Sequence, residues 1–132
     1  MPNPSGPAQP KTVLIIEDDP RLQKELTVAL IGAGYRVMNA YDGEAGLRCI
    51  LREVPDLVIL DLVLPKKDGF KVLREMKRRE ETRAIPDVVF SNLENSDNIE
   101  LAIRLGATSY LAKPNYTITR IVEKIRGVLG DH

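Results

Sequence analysis

The 132-residue chain has no tryptophan, one cysteine and one histidine, and only 5% of it is aromatic. With Cys49 alone, no internal disulfide can form, which fits a reducing cytoplasm. Neither sign of charge is in excess, since lysine plus arginine and aspartate plus glutamate each number 19. A broad basic surface for nucleic acid or an anionic membrane is therefore not expected. No apolar run approaches the length of a bilayer span, and the N-terminus lacks the charged start and apolar core of an export signal. Also missing is a Gly-x-x-x-x-Gly-Lys-Ser/Thr loop to hold ATP.

What the chain does have is a regular alternation. Residues 1–10, with Pro2, Pro4, Pro7 and Pro10, show neither helical nor strand period and are expected to be a disordered leader to one domain over 11–130. Apolar strands are expected at Thr12 to Ile16, Tyr35 to Ala40, Leu57 to Asp61, Pro86 to Phe90 and Thr108 to Ala112. Each is followed by an amphipathic helix. The inward faces are expected to carry Leu22, Leu26, Ala29 and Leu30; then Ala45, Leu47, Ile50 and Leu51; then Phe70, Leu73 and Met76. Ile99, Ala102 and Ile103 follow, and last Ile118, Ile121, Val122, Ile125, Val128 and Leu129. Five strand-helix pairs give an α/β fold with a parallel sheet between two helical layers.

In such a sheet all strands end at one edge, and there the polar residues of this chain collect. Strand one ends in Glu17-Asp18-Asp19, strand three in Asp61, strand four in Ser91 and strand five in Lys113. Asp19, before Pro20, is explained as a helix N-cap. Ser91 taken alone is a turn residue, and Lys113 alone a solvated one. Glu17, Asp18 and Asp61 are harder to explain, because two carboxylates about 4 Å apart repel by roughly 4 kcal/mol at an effective dielectric near 20. Lys113 can neutralise one charge, and the remaining oxygens suit a hard divalent ion. So few protein ligands favour Mg²⁺, which keeps water and substrate oxygens, over a fully caged Ca²⁺. The chemistry to expect is phosphoryl transfer onto Asp61, with the cation and Lys113 stabilising the phosphoryl oxygens.

Taken together, Glu17-Asp18, Asp61-Leu-Val-Leu-Pro-Lys-Lys-Asp-Gly69, Ser91 and Gly106-Ala-Thr-Ser-Tyr-Leu-Ala-Lys-Pro114 resemble the receiver domain of two-component response regulators, a likeness that covers residues 11 to 129. The resemblance implies a three-layer αβα, flavodoxin-like sheet in the order 2-1-3-4-5. It implies Asp61 as phosphoacceptor, Asp18 as direct acidic ligand of Mg²⁺, Glu17 as a ligand through water and the Val63 carbonyl as a further ligand. Ser91 and Lys113 then contact the phosphoryl group, Tyr110 is the aromatic switch, and the Lys113–Pro114 bond is cis.

The implied role is phosphorelay signalling in the cytoplasm. Such a domain is not an ordinary enzyme, but it catalyses its own phosphorylation and dephosphorylation. The phosphoryl group comes from a histidine kinase or phosphotransfer protein, because the sole histidine, His132, reads as a chain end. Output passes to a protein partner through the face of helix four, strand five and helix five, without direct contact with nucleic acid or membrane. The alternative is a pseudo-receiver that binds partners without being phosphorylated. A phosphohydrolase of the haloacid dehalogenase type would need an acid where Val63 stands, and a flavodoxin-like cofactor binder would be repelled by Glu17-Asp18-Asp19. Three departures from the family pattern stand out: Ser91 replaces a commoner threonine, Asn92 follows it where the family usually has a small residue, and Asn115-Tyr-Thr117 is about one residue longer than the usual lead into helix five.

Overall fold

Leu57-Val-Ile-Leu60 offers no polar side chain to water, and the fold buries all four. In the computed structural model, which describes residues 9–66, 68–92 and 95–131, this segment is the central strand of a five-stranded parallel sheet. In chain order the elements are β1 (Thr12–Ile16), α1 (Pro20–Gly32), β2 (Arg36–Ala40), α2 (Gly43–Glu53), β3 (Leu57–Leu60), α3 (Gly69–Arg78), β4 (Asp87–Ser91), α4 (Ser96–Arg104), β5 (Ser109–Ala112) and α5 (Ile118–Leu129), with a 3₁₀ turn at Lys113–Asn115 before α5. The sheet order is β2-β1-β3-β4-β5, as expected from the resemblance.

Side chains alternate across a strand, so β1 and β3 each feed two cores. Leu14, Ile16, Val58 and Leu60 pack with Ile50 of α2, Val72, Leu73 and Met76 of α3 and Ala102 of α4. On the opposite face Val13, Ile15, Leu57 and Ile59 pack with Leu26 and Leu30 of α1 and Ile121 and Ile125 of α5. These are the two helical layers.

Every α-helix begins on a side-chain cap that satisfies an otherwise orphaned amide. Asp19 accepts from the Arg21 amide at 2.9 Å, as expected of it. Asp42, Asp68, Asn95 and Thr117 do the same for α2, α3, α4 and α5. Among the described residues no helix is long and apolar enough to cross a membrane.

Several expectations are corrected. The Lys113–Pro114 bond is trans, since no described peptide bond is cis. Trans is the lower-energy isomer by about 0.5–1 kcal/mol, and Lys113 reaches its partners from it. β2 starts at Arg36 because the Tyr35 amide is used to close α1 on the Leu30 carbonyl. β4 starts at Asp87 because Pro86 has no N–H to give the ladder, and β5 starts at Ser109. On α2 the residues buried beside Leu47 and Ile50 are Gly43 and Gly46, whereas Ala45 and Leu51 are half-buried. A Cβ on Gly46 would lie 2.6 Å from Ile16 Cδ1, so β1 presses where a side chain would otherwise stand. On α4 only Ala102 is buried, and Ile103, one position further round the helix, is 59% exposed. The leader expected at 1–10 and the chain end at His132 lie outside the described residues, apart from the exposed Gln9 and Pro10.

Candidate functional site

Ile16 pairs with Leu60, so the acids that follow β1 and β3 come out side by side. The Glu17 amide still donates to the Ala40 carbonyl and the Asp61 amide to the Ile16 carbonyl, each at 3.0 Å, which fixes both backbones where the strands part. Glu17 is 3% and Asp61 5% exposed, while Asp18 faces solvent. Carboxylate oxygens of Glu17, Asp18 and Asp61 all lie within 4.8 Å of one another.

Ser91 closes β4, and its buried hydroxyl donates to Asp61 Oδ1 at 2.8 Å. The same oxygen accepts from the Val63 amide at 3.0 Å. Lys113, just past β5, places its Nζ 2.8 Å from Asp61 Oδ2 and 2.6 Å from Glu17 Oε1. Glu17 Oε2 accepts from the Asp19 amide at 3.0 Å. Five residues from four strand ends therefore meet at one rim, the convergence expected of a parallel sheet. Tyr110 stands elsewhere on β5: it pairs with Val89 and packs, half-buried, on the core beneath α2, α3 and α4.

Burial dominates the electrostatics. It pushes the Glu17 carboxyl up to about 7, against the hydrogen bonds from Lys113 and the Asp19 amide, and the nearby Asp61 charge pushes the same way. Burial also pulls on Lys113, but bonds to Asp61 and Glu17 outweigh it and its pKa ends above the ordinary value. The ammonium is thus held charged between two acids, with a third alongside.

The loop from Asp61 to α3 is folded back on itself. A Cβ on Gly69 would lie 2.4 Å from Leu62 Cα and 2.5 Å from the Asp61 carbonyl oxygen, so only glycine lets α3 begin this close to the end of β3. Lys66 in this loop has a φ of 59° and reaches Asp42 at 3.8 Å.

One residue beside this rim escaped the sequence reading. Gln23 of α1 is 1% exposed and donates to three carbonyls where β1 and β2 end. The signal was there, because position 23 shares the inward stripe with Leu26 and Leu30, three and seven residues on.

Known proteins share this fold. The response regulator receiver domain family matches residues 13–126. The DNA-binding dual master transcriptional regulator RpaA of Synechocystis is 36% identical over 117 residues, which cover 89% of this chain and 48% of that protein. The chain spans about half the length of the first curated relatives it matches. A putative response regulator from Chloroflexus aurantiacus superposes with a TM-score of 0.84 at 30% identity, covering 92% of this chain and 99% of that one. The Mn²⁺-bound form of response regulator Rcp1 superposes with a TM-score of 0.80 at 29% identity, covering 89% and 93%.

Proposed function

The chain belongs to the receiver-domain family of two-component response regulators, and on that premise we propose that Asp61 is its phosphoacceptor, served by Lys113, Ser91 and a bound Mg²⁺. The observation that carries this reading is the single Lys113 ammonium shared between buried Glu17 and Asp61, with Asp18 beside them in no ion pair among the described residues. Such an excess of negative charge needs a cation.

The donor set fits a hard one. It is all oxygen, it is partly open to solvent through Asp18, and it offers too few ligands to cage the ion. Asp18 and Asp61, Glu17 through water and the Val63 carbonyl would hold it, and Mn²⁺ in Rcp1 supports a divalent ion for a related protein. When bound, Mg²⁺ supplies positive charge for the phosphoryl oxygens.

The chain's own residues do the rest. An Asp61 carboxylate oxygen forms the new bond to phosphorus as the bond to the donor's leaving group breaks. Lys113, already 2.8 Å from Asp61, pairs with a phosphoryl oxygen, and the Ser91 hydroxyl transfers its hydrogen bond from the carboxylate to another. Burial of Glu17 and Asp61 keeps the water these charges would otherwise attract to a minimum.

The donor is a histidine kinase or phosphotransfer protein, and the setting is the cytoplasm. Ser91 already touches Asp61, so the shift on phosphorylation starts from that contact. Tyr110 then changes its packing and the α4-β5-α5 face changes shape for a downstream protein. Incubation with Mg²⁺ and acetyl phosphate, followed by intact mass measurement, tests the reading. A gain of one phosphoryl group, absent from Asp61→Asn and abolished by EDTA, is expected. An unchanged mass would establish a pseudo-receiver instead.

A further inference from the structure

The Gln23 amide is the most heavily used polar group inside the described part of the protein. Its Nε2 lies 2.7 Å from the Ala40 carbonyl oxygen and 3.0 Å from those of Ile15 and Glu17, so two N–H hydrogens are shared among three acceptors. Its Oε1 accepts from Asn39 Nδ2 at 2.6 Å, and that nitrogen also donates to Thr27 Oγ1 at 2.9 Å. Asn39 therefore fixes which way the amide faces. A buried amide this fully bonded is rigid, and replacing it leaves carbonyls unsatisfied.

One of the three acceptors matters most. The Glu17 carbonyl belongs to the peptide unit that joins Glu17 to Asp18, and a planar peptide contains the Cα atoms of both. A hydrogen bond to that oxygen holds the plane from which both acidic side chains depart. β1 has ended there, so the ladder no longer does this work beyond the Glu17 amide. We propose that Gln23, oriented by Asn39, is a positioning residue for the acidic pair Glu17-Asp18 and thereby sets the affinity of the site for its divalent ion. The inference rests on the metal-site reading above.

Outer groups that orient metal ligands typically account for 10–100-fold in affinity. The test is calorimetric titration of the phosphate-free chain with Mg²⁺, beside thermal unfolding of each variant. Gln23→Met, similar in length but without a donor, is expected to bind Mg²⁺ roughly tenfold more weakly or worse. Asn39→Ala, at an exposed position, is expected to fold as the wild type and to lose a smaller factor. In the double variant the Asn39→Ala loss should vanish, because no amide remains to be oriented. Leu26→Ala, destabilised in the same helix, should keep wild-type affinity.

Equal Mg²⁺ affinity in wild type, Gln23→Met and Asn39→Ala would overturn the inference and leave the metal-site reading intact. Should Gln23→Met not fold, an unchanged affinity in Asn39→Ala would overturn it alone. A wild-type chain that takes up no Mg²⁺ would overturn both.

Discussion

Two lysine–aspartate pairs with buried carboxylates sit at opposite ends of the sheet, and they are built differently. At the amino end of β4, Lys77 lies 2.9 Å from Asp87, and Thr108 donates to the same carboxylate through its amide at 3.1 Å and its hydroxyl at 3.0 Å. One ammonium meets one carboxylate there, and Asp87 is sealed from solvent. At the carboxyl end Lys113 is divided between Asp61 and Glu17, and Asp18 adds a third negative charge at the surface. The contact distances are nearly equal, yet the first cluster is balanced in charge, although Asp87 Oδ2 is buried without a hydrogen-bond partner, and the second is, among the described residues, short of positive charge. Charge balance and access separate a structural ion pair from a site.

The sharpest way to break this comparison is to remove each lysine. Lys77→Met leaves Asp87 buried without its cation and is expected to cost about 3–5 kcal/mol in urea unfolding, with or without Mg²⁺. Lys113→Met should also weaken the metal-free chain, but saturating Mg²⁺ should return most of the loss. If both variants respond alike to Mg²⁺, the distinction between the two ends is wrong.

Next in size is the response to pH. The Glu17 carboxyl is raised from 4.5 to about 7 on folding, so the folded chain holds this proton more tightly than the unfolded one. The stabilisation that results is full below pH 4.5 and is lost as pH rises through about 7, a difference worth about 3 kcal/mol. Metal-free unfolding curves between these limits should show the decline, and Glu17→Gln should flatten it.

The smallest effects concern the backbone on either side of β3. Gly69→Ala, at the carboxyl end, drives a methyl into the Leu62 and Asp61 backbone. It is expected to cost about 1–3 kcal/mol and to slow phosphorylation of Asp61. Val54, at the amino end, caps α2 with a φ of 47° although its side chain is 48% exposed. Val54→Gly should relieve that conformation and raise stability by about 1 kcal/mol, leaving phosphorylation unchanged. Equal effects on phosphorylation would show that the two ends are not functionally distinct.

Much of this was readable beforehand. Short uninterrupted β-branched runs such as Val13-Leu-Ile-Ile16 read as strands covered on both faces, and Asp-Gly or Asp-Pro before an apolar stripe marks a helix start. Ile103 was misread because apolar spacing does not tell how far a short helix rolls against its sheet. Gln23 was passed over because a glutamine on an apolar stripe shows its purpose only when the carbonyls it serves are in place.

By itself the sequence determined the order of strands and helices, the cap at Asp19 and the residues carried to each strand end, because these follow from local periodicity and from the single direction of a parallel sheet. Only the tertiary structure decided that Lys113 bonds to both Glu17 and Asp61, that Lys77 closes on Asp87 and that the Lys113–Pro114 bond is trans. Those outcomes depend on distances between segments up to 96 residues apart. Such distances are set when the two cores pack on the sheet, and no local pattern encodes them.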